Sequence, residues 1–220
     1  MSAFPGSPRV VKGGIVLLDP DTFQVLPNGV IVLQYNPDTL TRTLKIKGAD
    51  EGSDRSEALR LTGPPVETIK LDAEIDATDQ LEQPDQNPNA VQFGINPQLA
   101  ALETLVYPAS RTLQQNFALA QQGTLEIMPM LQPLPLFVWS ANRIVPVRLT
   151  DFSITEEAFD PLLNPIRAKV SLGMRVLSID DLNFSDRSGS IYMAYQQQKE
   201  SLARMGFTGS LTPLGIRGIP

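Results

Sequence analysis

Residues 144–177 constrain the fold more than any other part of the chain. In the second half of this stretch Ile166, Ala168, Val170, Leu172, Met174 and Val176 share one parity, and Arg167, Lys169, Ser171, Gly173 and Arg175 share the other. Successive side chains of a strand point to opposite faces, so this alternation predicts one buried face and one that meets water or a partner. The first half alternates as well, but Val145, Val147 and Leu149 sit on one parity while Phe152 and Ile154 sit on the other. A parity change inside an extended run predicts a β-bulge near Thr150 and Asp151. Between the halves, residues 159–165 hold two Asx-Pro pairs, Asp160-Pro161 and Asn164-Pro165, which is turn chemistry. The product is a long antiparallel hairpin.

Other segments extend the sheet. Residues 14–18 and 29–35 read as a hairpin with an irregular loop, and 39–47 resumes as a strand after Asn36-Pro37. Residues 66–76 alternate Ile69, Leu71, Ala73 and Ile75 against Lys70, Asp72, Glu74 and Asp76, which predicts a half-buried strand with an acidic outer face. Short strands are expected at 125–128 and 136–139, separated by Pro129, Pro133 and Pro135. Residues 48–57 and 80–96 read as polar loops. Asn96-Pro97 predicts a capped helix start with Leu99, Leu102, Leu105 and Val106 on one side, and 111–122 suits a second short helix. A third is expected over 191–205, capped by Ser188 to Ser190 and stopped at Gly206, with Ile191, Tyr195, Leu202 and Met205 on its buried stripe. The expected division is an N-terminal arm at 1–12, a β domain at 13–182, and a C-terminal helix with an extended tail at 183–220.

Composition removes whole classes of chemistry. The chain has no histidine and no cysteine, so Ser-His-Asp, Cys-His and zinc-thiolate arrangements are out of reach. Carboxylate pairs, a Ser/Lys dyad or a hard cation on carboxylates are what remain. A net charge of −6 without a basic run disfavours nucleic acid and anionic membrane surfaces as partners. The longest apolar runs are too short to cross a bilayer, and the opening residues read as no signal peptide. Cytoplasmic assembly is the expected setting.

The residues that could carry chemistry each have a plainer structural explanation. Asp72, Glu74, Asp76 and Asp79 form the one notable carboxylate cluster, but no EF-hand loop accompanies them and a solvated strand face explains them better. Glu156 and Glu157 read as hairpin polarity. Residues 186–190 lack a phosphate-loop pattern, and Trp139 with Phe137 reads as core before it reads as a sugar platform. Arg167, Lys169 and Arg175 line the polar face of the best strand and could pair with the acidic 70–76 face of a neighbouring subunit. No residue is assigned a catalytic, cofactor-binding or metal-binding role.

The order of short motifs does carry a resemblance. Tyr35-Asn-Pro-Asp-Thr-Leu-Thr-Arg42, Leu61-Thr-Gly-Pro-Pro65, Leu105-Val-Tyr-Pro108, Pro135-Leu-Phe-Val-Trp139, Val145-Pro-Val-Arg148 and Phe159-Asp-Pro-Leu-Leu-Asn-Pro-Ile-Arg-Ala168 follow one another over about residues 13–180. Together they resemble the tube-domain family of contractile injection systems, which is similar to phage tail-tube proteins. The resemblance implies a mainly β fold, antiparallel sheets forming a sandwich or barrel that closes across a homo-hexameric ring. It implies no enzyme activity and no cofactor. The implied partners are further copies of the chain, an inner-tube protein and a spike or hub protein. The particle carrying it would be phage-tail-like, either released or membrane-anchored. Adaptors of this family often carry a LysM module at the C-terminus. Residues 183–220 are too short and too rich in Gly and Pro for one, yet exceed what a minimal tube subunit needs. A baseplate adaptor between tube and spike is therefore the first expectation and the bulk tube protein the second. A peptidoglycan- or glycan-binding module using Trp139 and Phe137, and a carboxylate-dependent hydrolase using Asp72, Glu74 or Asp76, stand behind them.

Overall fold

The computed structural model describes residues 10–48, 60–123, 132–182, 186–207, 209–216 and 218–219. The chain is mainly β. Its strands are β1 (Gly14–Leu18), β2 (Val25–Val32), β3 (Leu40–Lys45), β4 (Val66–Asp76), β5 (Leu134–Ser140), β6 (Arg143–Phe159) and β7 (Pro165–Val176). Helices α1 (Thr78–Leu81), α2 (Pro88–Phe93), α3 (Asn96–Glu103) and α4 (Ser110–Gln121) lie between β4 and β5, and α5 (Arg187–Gly206) follows the last strand.

All seven strands join one sheet in the order β2-β1-β5-β6-β7-β4-β3. Every neighbouring pair is antiparallel. Strand β6 is the element both halves share. Its first residues, Arg143 to Pro146, pair with β5, and from Val147 to its end it pairs with β7. The expected bulge is present, as a register shift between Leu149 and Asp151 opposite Met174 and Gly173. The sheet stays open within one chain, with β2 and β3 as its two edges.

Both halves feed one core. Ile15, Phe137 and Val145 from the first half share a buried cluster with Ile69, Leu71, Val170, Leu172 and Met174 from the second. Each such side chain contributes about 1.5–3 kcal/mol by leaving water. Leu99 and Leu102 of α3 join that cluster, as do Tyr192 and Tyr195 of α5. A polar clamp ties the chain just beyond β2 to the end of β4. The Gln34 amide donates to the Asp76 carbonyl at 2.6 Å and accepts from the Asp76 N–H at 3.0 Å.

Several local expectations need correcting. Residues 80–96 are not a plain loop, because α2 and a single helical turn at Pro84–Gln86 form there, each started by a proline at a position that needs no N–H donor. Helix α3 begins at Asn96, so Ile95 holds the cap position and no side chain caps it. Helix α5 starts at Arg187 after Asp186, and Ser188 is buried in its first turn rather than capping it. Its buried stripe runs through Tyr192 and Tyr195, whereas Leu202 and Met205 are exposed. The expected strand at 125–128 and most of the loop at 48–57 lie outside the described residues.

Candidate assembly surfaces

Strands β4, β7 and the second part of β6 turn their polar parity to one outer face, and that face is where the nominated charges lie. Asp76, Glu74 and Asp72 stand directly across from Arg167, Lys169 and Ser171. Arg167 donates from Nε to Asp76 Oδ2 at 2.7 Å, while Lys169 reaches Glu157 of β6 at 2.9 Å. Arg175 binds Asp181 at 2.5 Å. These cations therefore take carboxylates of their own chain. The expectation that they await a neighbour's acidic strand is overturned, because β4 is itself the neighbour of β7 in the sheet. Asp76 is further held by the Thr78 N–H and hydroxyl. Partial burial alone would raise its carboxyl, but the Thr78 and Arg167 hydrogen bonds outweigh that and keep it below its ordinary range.

The remaining nominated residues do not converge. Asp79 sits in α1, beyond the strand that carries the other three. Among the described residues no three carboxylates gather as metal ligands. Glu156 lies in register with Ala168, away from the ion pair that Glu157 makes. The Asp186 side chain makes no capping bond at α5. Trp139 stacks on Phe137 at 5.9 Å between ring centroids and lies so close over Gly13 that a Cβ there would meet its ring at 2.7 Å. It packs against the core and offers no open platform.

A further polar cluster lies on the inner face of the sheet. Glu67, on the inward parity of β4, is only 3% exposed. Its Oε1 accepts from Arg42 Nε of β3 at 2.8 Å and from the Tyr195 hydroxyl of α5 at 3.0 Å. Arg42 also donates to that hydroxyl at 3.0 Å. Lys199 of α5 stands 3.5 Å from Glu67 Oε2 and 4.1 Å from the centre of the Tyr195 ring. Burial, reinforced by the Glu67 charge, pushes the Tyr195 hydroxyl up to about 12. Burial lowers the Lys199 ammonium against the pull of Glu67. The cluster fastens α5 across the inner face of the sheet. The signal was present: Glu67 shares the parity of Ile69 and Leu71, where an acid needs a partner.

The two sheet edges differ in character. Strand β2 presents Val30 and Val32, more than half exposed, on its outward parity. Strand β3 carries exposed Leu44 and, just past its end, Ile46, interleaved with Lys45 and Lys47. Unpaired edges of this kind are templates for another strand. Helix α4 buries none of its residues and exposes Leu113, Phe117 and Leu119.

The far end of the β6–β7 hairpin is a rigid knob. Asp160 Oδ1 accepts from the N–H groups of Leu162 at 2.7 Å and Asn164 at 2.8 Å, and Oδ2 accepts from the Asn164 side chain at 2.8 Å. Led by the Asn164 side-chain bond, these contacts hold the Asp160 carboxyl below its ordinary range. The knob is braced from below, since Ile95 donates to the Pro165 carbonyl at 2.8 Å. At its summit Leu162 and Leu163 are 78% and 80% exposed, and Leu163 adopts a positive φ of 66°.

No helix among the described residues is long and apolar enough to cross a membrane. No family model matches the chain, and no curated protein does. Among solved structures it is similar to a chain from the tail of an empty gene transfer agent (GTA) particle determined with C6 symmetry, at 11% identity over 75% of this chain and 90% of that one, with a TM-score of 0.29. It is also similar to a chain of the virion of a native gene transfer agent particle, at 10% identity over 74% and 90%, with a TM-score of 0.24. Scores this low do not establish a shared fold.

Proposed function

We propose that the chain is a structural subunit of a contractile, phage-tail-like particle, a ring-forming adaptor that joins the inner tube to the spike. The role is mechanical, and no reaction belongs to it. The observation that carries the reading is the open sheet, whose two unlike edges are both free among the described residues. Pairing β2 of one copy with β3 of the next would set Val30 and Val32 beside Leu44 and Ile46 and remove both exposed edges. Such a contact is heterologous, and when its rotation closes it makes a ring. Support also comes from the polar face of β4 and β7, whose ion pairs are satisfied within the chain and leave it suited to face solvent.

Quantitative mass spectrometry of purified particles tests the reading. One ring's worth of this chain relative to sheath and spike is the expected result. Copies equal to the sheath would assign it to the bulk tube instead. Its absence from particles, with a strictly monomeric purified protein, would overturn the assembly role altogether.

A further inference from the structure

We infer that the Glu67 cluster has an oxyanion-binding site at its rim, where Arg143 and Lys199 hold the anion between the β5–β6 turn and α5. The inference does not depend on how copies of the chain assemble. It starts from parity. Arg143 continues the row of Val145 and Val147, both fully buried, so its side chain leaves β6 on the inner face of the sheet. Glu67 leaves β4 on that same face, in the row of Ile69 and Leu71, and takes Arg42 from β3. The β5–β6 turn also meets α5 directly, because the Gln198 side chain donates to the Asn142 side chain at 3.3 Å. Lys199 and Arg143 are the next residues along the two elements. The Arg143 charge accordingly weighs on both Lys199 and the Tyr195 hydroxyl.

The charges gathered here do not balance. Among the described residues the cluster sets one carboxylate, Glu67, against Arg42, Arg143 and Lys199, a surplus of positive charge in a chain whose net charge is −6. Donors are left over as well. Arg42 spends its fork on Glu67 and the Tyr195 hydroxyl. Arg143 is half-buried, yet its guanidinium makes no hydrogen bond or ion pair among the described residues. Lys199 comes no nearer than 3.5 Å to Glu67, beyond the roughly 2.7–2.9 Å of a charge-assisted bond, and its side chain is 31% exposed. A planar fork and an ammonium with unused donors are the chemistry that recognises carboxylate, sulfate or phosphate. Partial burial strengthens such a grip, because half-buried charges are screened less by salt than exposed ones. A bound anion would tie α5 to the β5–β6 turn, so occupancy should slow the opening of that helix.

Inorganic sulfate is the first probe, added to the purified full chain with ionic strength held constant by chloride. Hydrogen exchange at the amides of α5 reads the result. Protection should rise with saturation, about elevenfold at ten times the half-saturating concentration, because the opening equilibrium falls as one plus that ratio. Arg143→Gln should abolish the rise and leave the thermal midpoint without sulfate nearly unchanged, since the side chain has no partner within the described residues to lose. Lys199→Gln should lower the sulfate affinity by about tenfold or more. Arg111→Gln, on the exposed surface of α4, should leave the response intact. Acetylated triglutamate distinguishes the sources of the anion. Competition with sulfate would assign it to an acidic side chain of a partner, and sulfate binding without competition would assign it to a small free oxyanion. A response that never saturates, or one that survives Arg143→Gln, would be a general salt effect and would overturn the site.

Discussion

A carboxylate on the inward parity of a strand must be answered by cations and hydroxyls, and Glu67 is answered from two other elements. Removing its charge leaves Arg42 and Lys199 facing one another across a half-buried space. Glu67→Gln should cost about 2–4 kcal/mol in urea unfolding, and Tyr195→Phe about 1–2 kcal/mol through loss of the bond donated to Glu67 and the one accepted from Arg42. A larger loss for Tyr195→Phe than for Glu67→Gln would show that the hydroxyl, not the carboxylate, anchors the cluster. The pH dependence follows from the raised Tyr195 pKa. The folded state keeps the phenol protonated where the unfolded chain would lose its proton. Its contribution is therefore complete below the ordinary value of 10.0 and disappears as pH rises to about 12. Phenolate absorbance should show Tyr192 and Tyr195, both raised by burial, titrating late, and Tyr195→Phe should remove the step at about 12. The parity of Glu67 with Ile69 and Leu71 announces a buried acid, but which cations and hydroxyl answer it depends on how β3 and α5 meet β4, which local periodicity does not encode.

The hairpin of β6 and β7 was the most legible element, and its bulge shows why. Alternation registers which face each residue takes, so a slip in parity between Leu149 and Phe152 had to appear as an extra residue in one strand. Gly173 sits across from that bulge, where a Cβ would come within 2.9 Å of the Asp151 Cβ. Gly173→Ala should therefore destabilise the fold by about 1–3 kcal/mol, measured by thermal unfolding, and an unchanged midpoint would mean the bulge can yield. Helices α1 and α2 were illegible for the opposite reason. Residues 80–96 hold Gln, Asn and Pro with little apolar rhythm, and tertiary bonds organise them: Ala77 donates to the Ile166 carbonyl and Ile95 to the Pro165 carbonyl, both onto the base of the hairpin. Gly94 makes that approach feasible, with a φ of 58° and the Pro165 oxygen 2.1 Å from where a Cβ would lie. Gly94→Ala should cost about 3 kcal/mol and loosen the knob along with α2, readable as faster amide exchange at Leu162 and Ile95.

At the scale of the whole molecule, the sheet has opposite faces and unlike edges, and the proposed contacts assign each a different task. Val30→Lys on β2 should block lateral association while changing monomer stability by less than about 0.5 kcal/mol, because the side chain already faces water. Sedimentation of the variant beside the parent chain checks this, and rings that persist would exclude β2 from the lateral contact. The sequence could announce strands, faces and a turn, since those follow local periodicity. It could not announce that β2 and β3 would be the two edge strands of the described sheet, because edges depend on strand order. Strand order also gives β6 an unusual position. It is laced to β5 over its first residues and to β7 over the remainder, on both sides of the fold's midline. A load drawn along that strand would be carried by many ladder bonds at once, in shear, rather than one at a time as when a zipper opens. A subunit wired this way passes force from one end to the other without first coming apart between its halves.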